Sequence, residues 1–110
     1  MGGSESPTSE SAISASFLVR PEAESDLAEA QTWYDEQRVG LGDEFITAVE
    51  SAFEPTRDFP QGYAVEYRQV RAAPLRRFPY VVFYRLIGEV VQVLAVMHGS
   101  RHSREWQSRI

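Results

Sequence analysis

The hydrophobic pattern of the chain changes period once, and this change limits the folds it can adopt. Up to about residue 58, apolar side chains recur every three or four residues, the spacing of one helix face. After "FPQGY" the segments "VEYRQVRAAPL", "YVVFYRLI" and "EVVQVLAVM" are rich in β-branched and aromatic residues, which is typical of strands. The helical stripes are Ala23, Leu27, Ala30 and Tyr34, widened by Trp33, and then Phe45, Ile46, Val49, Ala52 and Phe53.

The boundaries of these elements follow from local signals. Pro21 suits the first position of a helix, Asp43 is placed to cap the second helix, and Pro55 and Pro60 are expected to end it. The short "VGLG" link forces the two helices into an antiparallel hairpin. With the strand-like "SFLVRP" before them, the predicted order is β-αα-βββ, an α+β fold with the helical hairpin packed on one face of a small antiparallel sheet.

Strand alternation divides the sheet into two faces. Tyr80, Val82, Tyr84 and Leu86 share one face, and Val81, Phe83 and Arg85 share the other. Arg71 alternates with Val70 and Ala72 in the preceding strand. Gly88-Glu89 predicts a tight turn between the last two strands, and Pro74 must lie at an edge or bulge. Because two helices can cover only one face, we expect an open, arginine-bearing face that serves as a binding surface.

Composition limits the classes of protein to which the chain can belong. Residues 1–15 are rich in Ser, Gly and Glu and predict a disordered leader or tag, followed by a single domain over residues 16–110. They lack the basic start and apolar core of a secretory signal. No apolar run is long enough to span a membrane, so no membrane association is expected. The absence of cysteine is compatible with a reducing cytoplasm.

Charge is distributed unevenly around a net value of −5. Residues 17–61 hold eleven acids and three arginines, whereas residues 62–110 hold eight arginines and three glutamates. There is no lysine, so every cation is a guanidinium, which suits bidentate contacts with carboxylate or phosphate. The second half therefore predicts a surface for an acidic partner.

Three stretches together resemble the RelE/ParE superfamily of toxins from bacterial type II toxin–antitoxin systems. They are "LVRPEAESDLAEAQTWYDEQRVGLGDEF", "VRAAPLRRFPYVVFYRL" and "VLAVMHGSRHSREW", and they follow each other in order over about residues 16 to 107. Their wording is most similar to the ParE-like, plasmid-stabilisation branch. The resemblance implies a helical hairpin on an antiparallel sheet and a tight complex with a neutralising antitoxin. ParE-like members are reported to poison DNA gyrase, and RelE-like members cleave messenger RNA on the ribosome.

The segment "MHGSRHSREW" bears on the choice between these activities. Metal-free RNA cleavage needs a base, an acid and cations around one phosphate, and the candidates are Arg71, Arg85, His98, Arg101 and His102. Against a nuclease, the tail lacks lysine and tyrosine, and the chain is acidic although phosphate binding favours basic proteins. Gly99 and Ser100 interrupt the spacing between the two histidines, so neither a metal site nor a cofactor is predicted.

Three hypotheses thus remain: a non-enzymatic gyrase toxin, which the resemblance favours, a ribosome-dependent endoribonuclease, or an inactive toxin fold kept as a binding module. A homodimer or a toxin–antitoxin hetero-oligomer is compatible with each. We expect an acidic, partly apolar antitoxin segment on the arginine-bearing face, with Val82 and Tyr84 as apolar anchors. Trp106 is expected to pack the tail back onto the domain or, as the alternative, to serve as a third anchor. The predicted contact residues for the antitoxin or the target are Arg71, Arg76, Arg77, Arg85, Arg101, Arg104 and Trp106.

Overall fold

The computed structural model describes residues 16–100 and 103–110, with the side chains of residues 103 and 104 outside the description. Its elements are β1 (Ser16–Val19), α1 (Pro21–Gln37), α2 (Leu41–Asp58), β2 (Val65–Tyr67), β3 (Val70–Pro74), β4 (Tyr80–Ile87), β5 (Val90–His98) and α3 (Ser103–Gln107). The predicted disordered leader, residues 1–15, lies outside the described residues. No described helix is both long and apolar enough to cross a membrane.

The strands form one five-stranded sheet in the order β1-β5-β4-β3-β2. All neighbouring pairs are antiparallel except β1 and β5, which run parallel from Ser16↔Val90 to Val19↔Val93. The prediction of an α+β fold with a helical hairpin on a sheet is confirmed. β1 alone departs from the predicted antiparallel pairing, because the crossover through both helices brings it beside β5 in the same direction.

The helix hairpin covers one side of the sheet, which we call the helix face. Phe45 and Val49, from the predicted apolar stripe of α2, are buried in one core with Val82 and Tyr84 of β4. Close approach of the helices requires Gly42, since a Cβ there would lie 2.5 Å from the Gln31 carbonyl oxygen. The backbone N–H of Gly42 also donates to Asp35 Oδ1 at 2.8 Å.

The opposite side of the sheet, the tail face, has a second and smaller apolar cluster. Its core members are Val70, Phe83, Leu94, Ala95 and Met97, and Trp106 of α3 packs on them. A register shift in the β4–β5 pairing leaves Leu94 as an extra residue between Val93 and Ala95. Leu94 and Ala95 therefore both lie on the tail face, while Val93 and Val96 lie on the helix face.

Three boundary predictions are wrong. The segment "VEYRQVRAAPL" forms two strands, because Arg68 takes a left-handed conformation with φ of 53° and turns β2 back onto β3. Asp43 does not cap α2, which begins at Leu41 after Gly40 with φ of 91°. Pro55 does not end α2, which continues to Asp58. Ser51, whose carbonyl loses its helical donor at Pro55, is exposed, so water can satisfy that oxygen.

Candidate functional site: separated arginines and a groove at the β3–β4 turn

Arg71 is half-buried on the helix face at the margin of the sheet. Its Nη1 donates to the carbonyl oxygens of Gln61 (3.3 Å) and Tyr63 (2.5 Å), in the segment that joins α2 to β2. Tyr84 lies opposite Arg71 in the strand pairing and donates its hydroxyl to the Pro60 carbonyl at 2.7 Å. Burial raises the pKa of the Tyr84 phenol, and the Arg71 charge partly offsets the rise. Arg71 thus holds the chain in place from within the fold.

Arg85 lies on the other side of the sheet. It follows Tyr84 in β4 and so points to the tail face, where its Nε donates to Gln92 Oε1 at 2.9 Å. The sheet therefore separates the Arg71 and Arg85 side chains. Two of the cations proposed for a shared phosphate are not brought together.

His98 ends β5 and is half-buried. Its Nδ1 lies 3.1 Å from the backbone nitrogen of Ser100, which donates to it, and 2.8 Å from Ser100 Oγ. The ring also meets Tyr80 edge-on at 5.5 Å. These contacts fix the turn that leaves the sheet. The remaining candidates for RNA cleavage, Arg101 and His102, lie outside the described residues.

Trp106 is buried, with 4% of its surface exposed, and stacks on Phe83 at a centroid distance of 4.4 Å. It packs the tail onto the sheet and is not an exposed anchor. Val82 and Tyr84 were also predicted as anchors, and both are fully buried beneath the helices. All three apolar anchors predicted for the antitoxin are thus unavailable in this conformation, because the fold buries them. The Arg104 side chain lies outside the described residues.

Of the predicted contact arginines whose side chains the structure describes, Arg76 and Arg77 are the exposed ones. Both lie in the turn between β3 and β4, and both are exposed. Arg77 takes φ of 71° and its Nη2 lies 3.1 Å from Glu44 Oε1 of α2. Glu44 Oε2 also forms an ion pair with Arg38 Nη2 at 3.4 Å. Exposed pairs of this kind contribute little to stability, so the arginines can exchange partners.

These two arginines line a groove of about 600 Å³ between α2 and the β3–β4 turn, which we call the turn groove. Asp43 and Glu44 at the start of α2 also line it, and Glu44 contacts Arg77. The groove thus combines exposed guanidinium groups, two carboxylates and an apolar surface. The apolar part of the lining consists of Ala48, Ala52, Pro55, Tyr63 and Pro74.

Sequence patterns missed two further features, an ion pair and an exposed aromatic ring. Arg109 forms a bidentate ion pair with Asp26 on α1: Nη1 donates to Oδ2 at 2.7 Å and Nη2 donates to Oδ1 at 3.2 Å. Arg109 lies beyond every periodic segment, so no local signal could assign it this partner. Trp33 was assigned to the buried stripe of α1 but is 53% exposed. Within the described residues, no three His, Asp or Glu side chains gather as they would around a metal ion.

Comparison with known proteins agrees with this architecture. The sequence model of the family described as the ParE toxin of the type II toxin–antitoxin system parDE matches residues 17–103. The solved structure titled "Chromosomal ParDE TA system from P. aeruginosa" shares the fold, with a TM-score of 0.70 and 20% identity over 76% of this chain and 95% of that one. No curated protein sequence matches the chain. Since the family model spans most of the domain, the chain belongs to the ParE toxin family of type II toxin–antitoxin systems.

Proposed function

We propose that this ParE-family toxin arrests growth by acting on DNA gyrase, and that a cognate antitoxin neutralises it. The observation that carries the choice of target is the separation of Arg71 and Arg85 by the sheet, each bonded within the fold. RNA cleavage requires cations and proton-transfer groups around one phosphate. Dispersed arginines in an acidic protein favour a toxin that acts through protein contacts. Action on gyrase would place the protein in the cytoplasm.

The antitoxin contact in this proposal is the turn groove. An acidic, partly apolar segment can pair with its two exposed arginines, replacing Glu44 as the partner of Arg77, and can pack on its apolar lining. This revises the predicted surface: Arg76 and Arg77 stay in the interface, whereas Arg71 and Arg85 act within the fold. Trp106 contributes indirectly, by holding the tail on the sheet. The assembly would be a toxin–antitoxin hetero-oligomer.

The purified toxin and DNA gyrase holoenzyme test this function directly. Incubation with supercoiled plasmid should give trapped cleavage complexes or loss of supercoiling activity, and adding the antitoxin first should prevent both. In cells, expression of the toxin should induce the response to DNA damage. Transcripts cut at defined positions on ribosomes, with gyrase unaffected, would instead establish the nuclease. A folded toxin that neither affects gyrase nor cuts transcripts would support the inactive binding module.

A further inference from the structure

The exposed indole of Trp33 lines a second groove, which lies between α1 and the end of the sheet where β4 starts and β5 finishes. The groove has a volume of about 660 Å³ and shares no lining residue with the turn groove. We call it the aromatic groove. Trp33 is 53% exposed although it belongs to an ordered helix, so this large apolar surface is presented to solvent.

A row of rings crosses the aromatic groove from the helix to the sheet. Trp33 meets Tyr34 edge-on at 5.0 Å, Tyr34 meets Tyr80 at 6.0 Å, and Tyr80 meets His98 at 5.5 Å. These contacts join the exposed ring of Trp33, through the buried ring of Tyr34, to the rings at the start of β4 and the end of β5. The electron-rich faces of Trp and Tyr rings attract cations.

Two carboxylates border the rings. Asp26 already holds a guanidinium, since both terminal nitrogens of Arg109 contact its two oxygens. Glu29, one turn of α1 before Trp33, is exposed and has no ion pair within the part of the chain that the structure describes. No arginine lines the groove among the described residues. An exposed carboxylate beside an exposed indole is a favourable site for a planar cation, which can pair with one and stack on the other.

We propose that the aromatic groove receives an arginine side chain of the target, DNA gyrase; this inference rests on the proposed function. The charge of α1 favours the target over the antitoxin as the occupant. The helix carries six acidic residues and no cation, so it would repel the acidic segment that the turn groove fits. The toxin then has two distinct surfaces, the turn groove with its exposed arginines for the antitoxin and the acidic aromatic groove for the target.

Binding measurements with gyrase holoenzyme and with the antitoxin test this assignment. Trp33→Ala and Glu29→Arg should each weaken gyrase binding by at least about tenfold, as expected for an interface anchor. Antitoxin affinity should stay within about twofold, because surfaces that share no partner behave independently. Glu36→Arg is the matched control, as it changes the same charge on the same helix outside the groove and should leave both affinities unchanged. Trp33→Phe retains an aromatic face and should bind gyrase more tightly than Trp33→Ala.

Several outcomes would overturn the inference. Full gyrase binding by Trp33→Ala and Glu29→Arg would do so, as would equal losses from Glu29→Arg and Glu36→Arg, which would indicate a general charge effect. Loss of antitoxin binding with gyrase binding intact would assign the groove to the antitoxin. If the wild-type toxin does not bind gyrase at all, the proposed function fails together with this assignment, and that result is distinct from binding that is insensitive to the groove. Circular dichroism of each variant checks that the fold is retained.

Discussion

At the scale of single residues, two side chains of the sheet hold the segment that links the helices to the strands. Tyr84 donates to the Pro60 carbonyl, and Arg71 donates to the carbonyls of Gln61 and Tyr63. Backbone oxygens in a segment without regular pairing need such donors. Sequence alternation grouped Tyr84 with Val82 and Leu86 on one face, but it predicted neither hydrogen bond, since both depend on how the chain returns after α2.

The raised pKa of Tyr84 predicts a loss of stability in alkaline solution. The unfolded phenol ionises near pH 10, whereas burial keeps the folded one protonated to higher pH. This contribution is therefore complete below about pH 10 and is lost as the pH rises through the folded pKa. Tyr84→Phe should cost about 1 kcal/mol at pH 7, from the lost hydrogen bond, and its disadvantage should shrink by pH 11.

Urea unfolding at both pH values measures this difference. Tyr67→Phe is the control, because the structure gives its hydroxyl no hydrogen bond within the described residues. Tyr34, whose pKa burial also raises, leaves some alkaline sensitivity in every variant. A disadvantage of Tyr84→Phe that is the same at pH 7 and pH 11 would contradict the titration of Tyr84.

Asp26 and Arg109 complete the edge of the sheet where β1 ends. β1 pairs with β5 only as far as Val93, and beyond it Asp26 Oδ2 accepts the Val96 N–H at 3.0 Å. Arg109 donates to the Leu94 carbonyl at 3.2 Å as well as to Asp26. Asp26 and Arg109 therefore satisfy backbone groups of β5 that β1 does not reach, and their ion pair attaches the C-terminal tail to α1. Satisfying an edge in this way limits unwanted strand pairing.

Arg109→Gln should destabilise the fold by about 1 to 3 kcal/mol, because it leaves the Asp26 carboxylate without its cation in a mostly buried position. The side chains of Asp26 and Arg109 are 14% and 21% exposed, so solvent offsets part of the cost. Thermal or urea unfolding measures the change, with exposed Arg76→Gln as the control. If the two variants are equally stable, the tail contact contributes nothing to the fold.

At the scale of elements, periodicity located both helices and the two long strands, because each has enough residues to show its pattern. The β2–β3 hairpin escaped prediction because its turn residues, Arg68 and Gln69, give no Gly, Pro or Asn signal. The helix α3 has only five residues and depends on Trp106 stacking on Phe83. Such elements are determined by tertiary contacts and not by local preference.

The packing of α2 on the helix face can be tested at Phe45. Phe45 is fully buried and meets Tyr34, Phe78 and Tyr80 at centroid distances of 5.0 to 5.4 Å. Phe45→Ala should therefore cost about 3 to 5 kcal/mol through lost burial and a residual cavity. Urea unfolding measures it, and Val39→Ala, at a position 91% exposed, should change stability little. A cost below about 1 kcal/mol for Phe45→Ala would mean that α2 does not pack as described.

At the scale of the whole molecule, the sequence predicted the charge asymmetry but not the grouping of the arginines. Alternation could assign Arg85 to a face, yet the bonds that occupy Arg71 and Arg85 arise from contacts with Tyr63 and Gln92. Arg76 and Arg77 stayed accessible because they lie in a turn, where side chains have few neighbours. The sequence therefore predicted the charge of the candidate site and some of its residues.

The accessible arginines give the last prediction, for the association of toxin and antitoxin. Reversing both charges, Arg76→Glu with Arg77→Glu, should slow association with the antitoxin by about tenfold or more at low salt, because steering of an acidic segment becomes repulsion. The fold should persist, since the only ion pair that Arg77 makes within the described residues is with Glu44, and these side chains are 69% and 41% exposed. Stopped-flow association at several salt concentrations measures the effect, which should shrink as salt screens the charges. Arg68→Glu in the β2–β3 turn is the control, because it makes the same substitution at an exposed turn outside the turn groove. Arg38 is less suitable as a control, because it contacts the same Glu44 carboxylate as Arg77. Equal slowing per reversed charge at both turns would show that the antitoxin senses only net charge, and the turn groove would then lose its place in the interface.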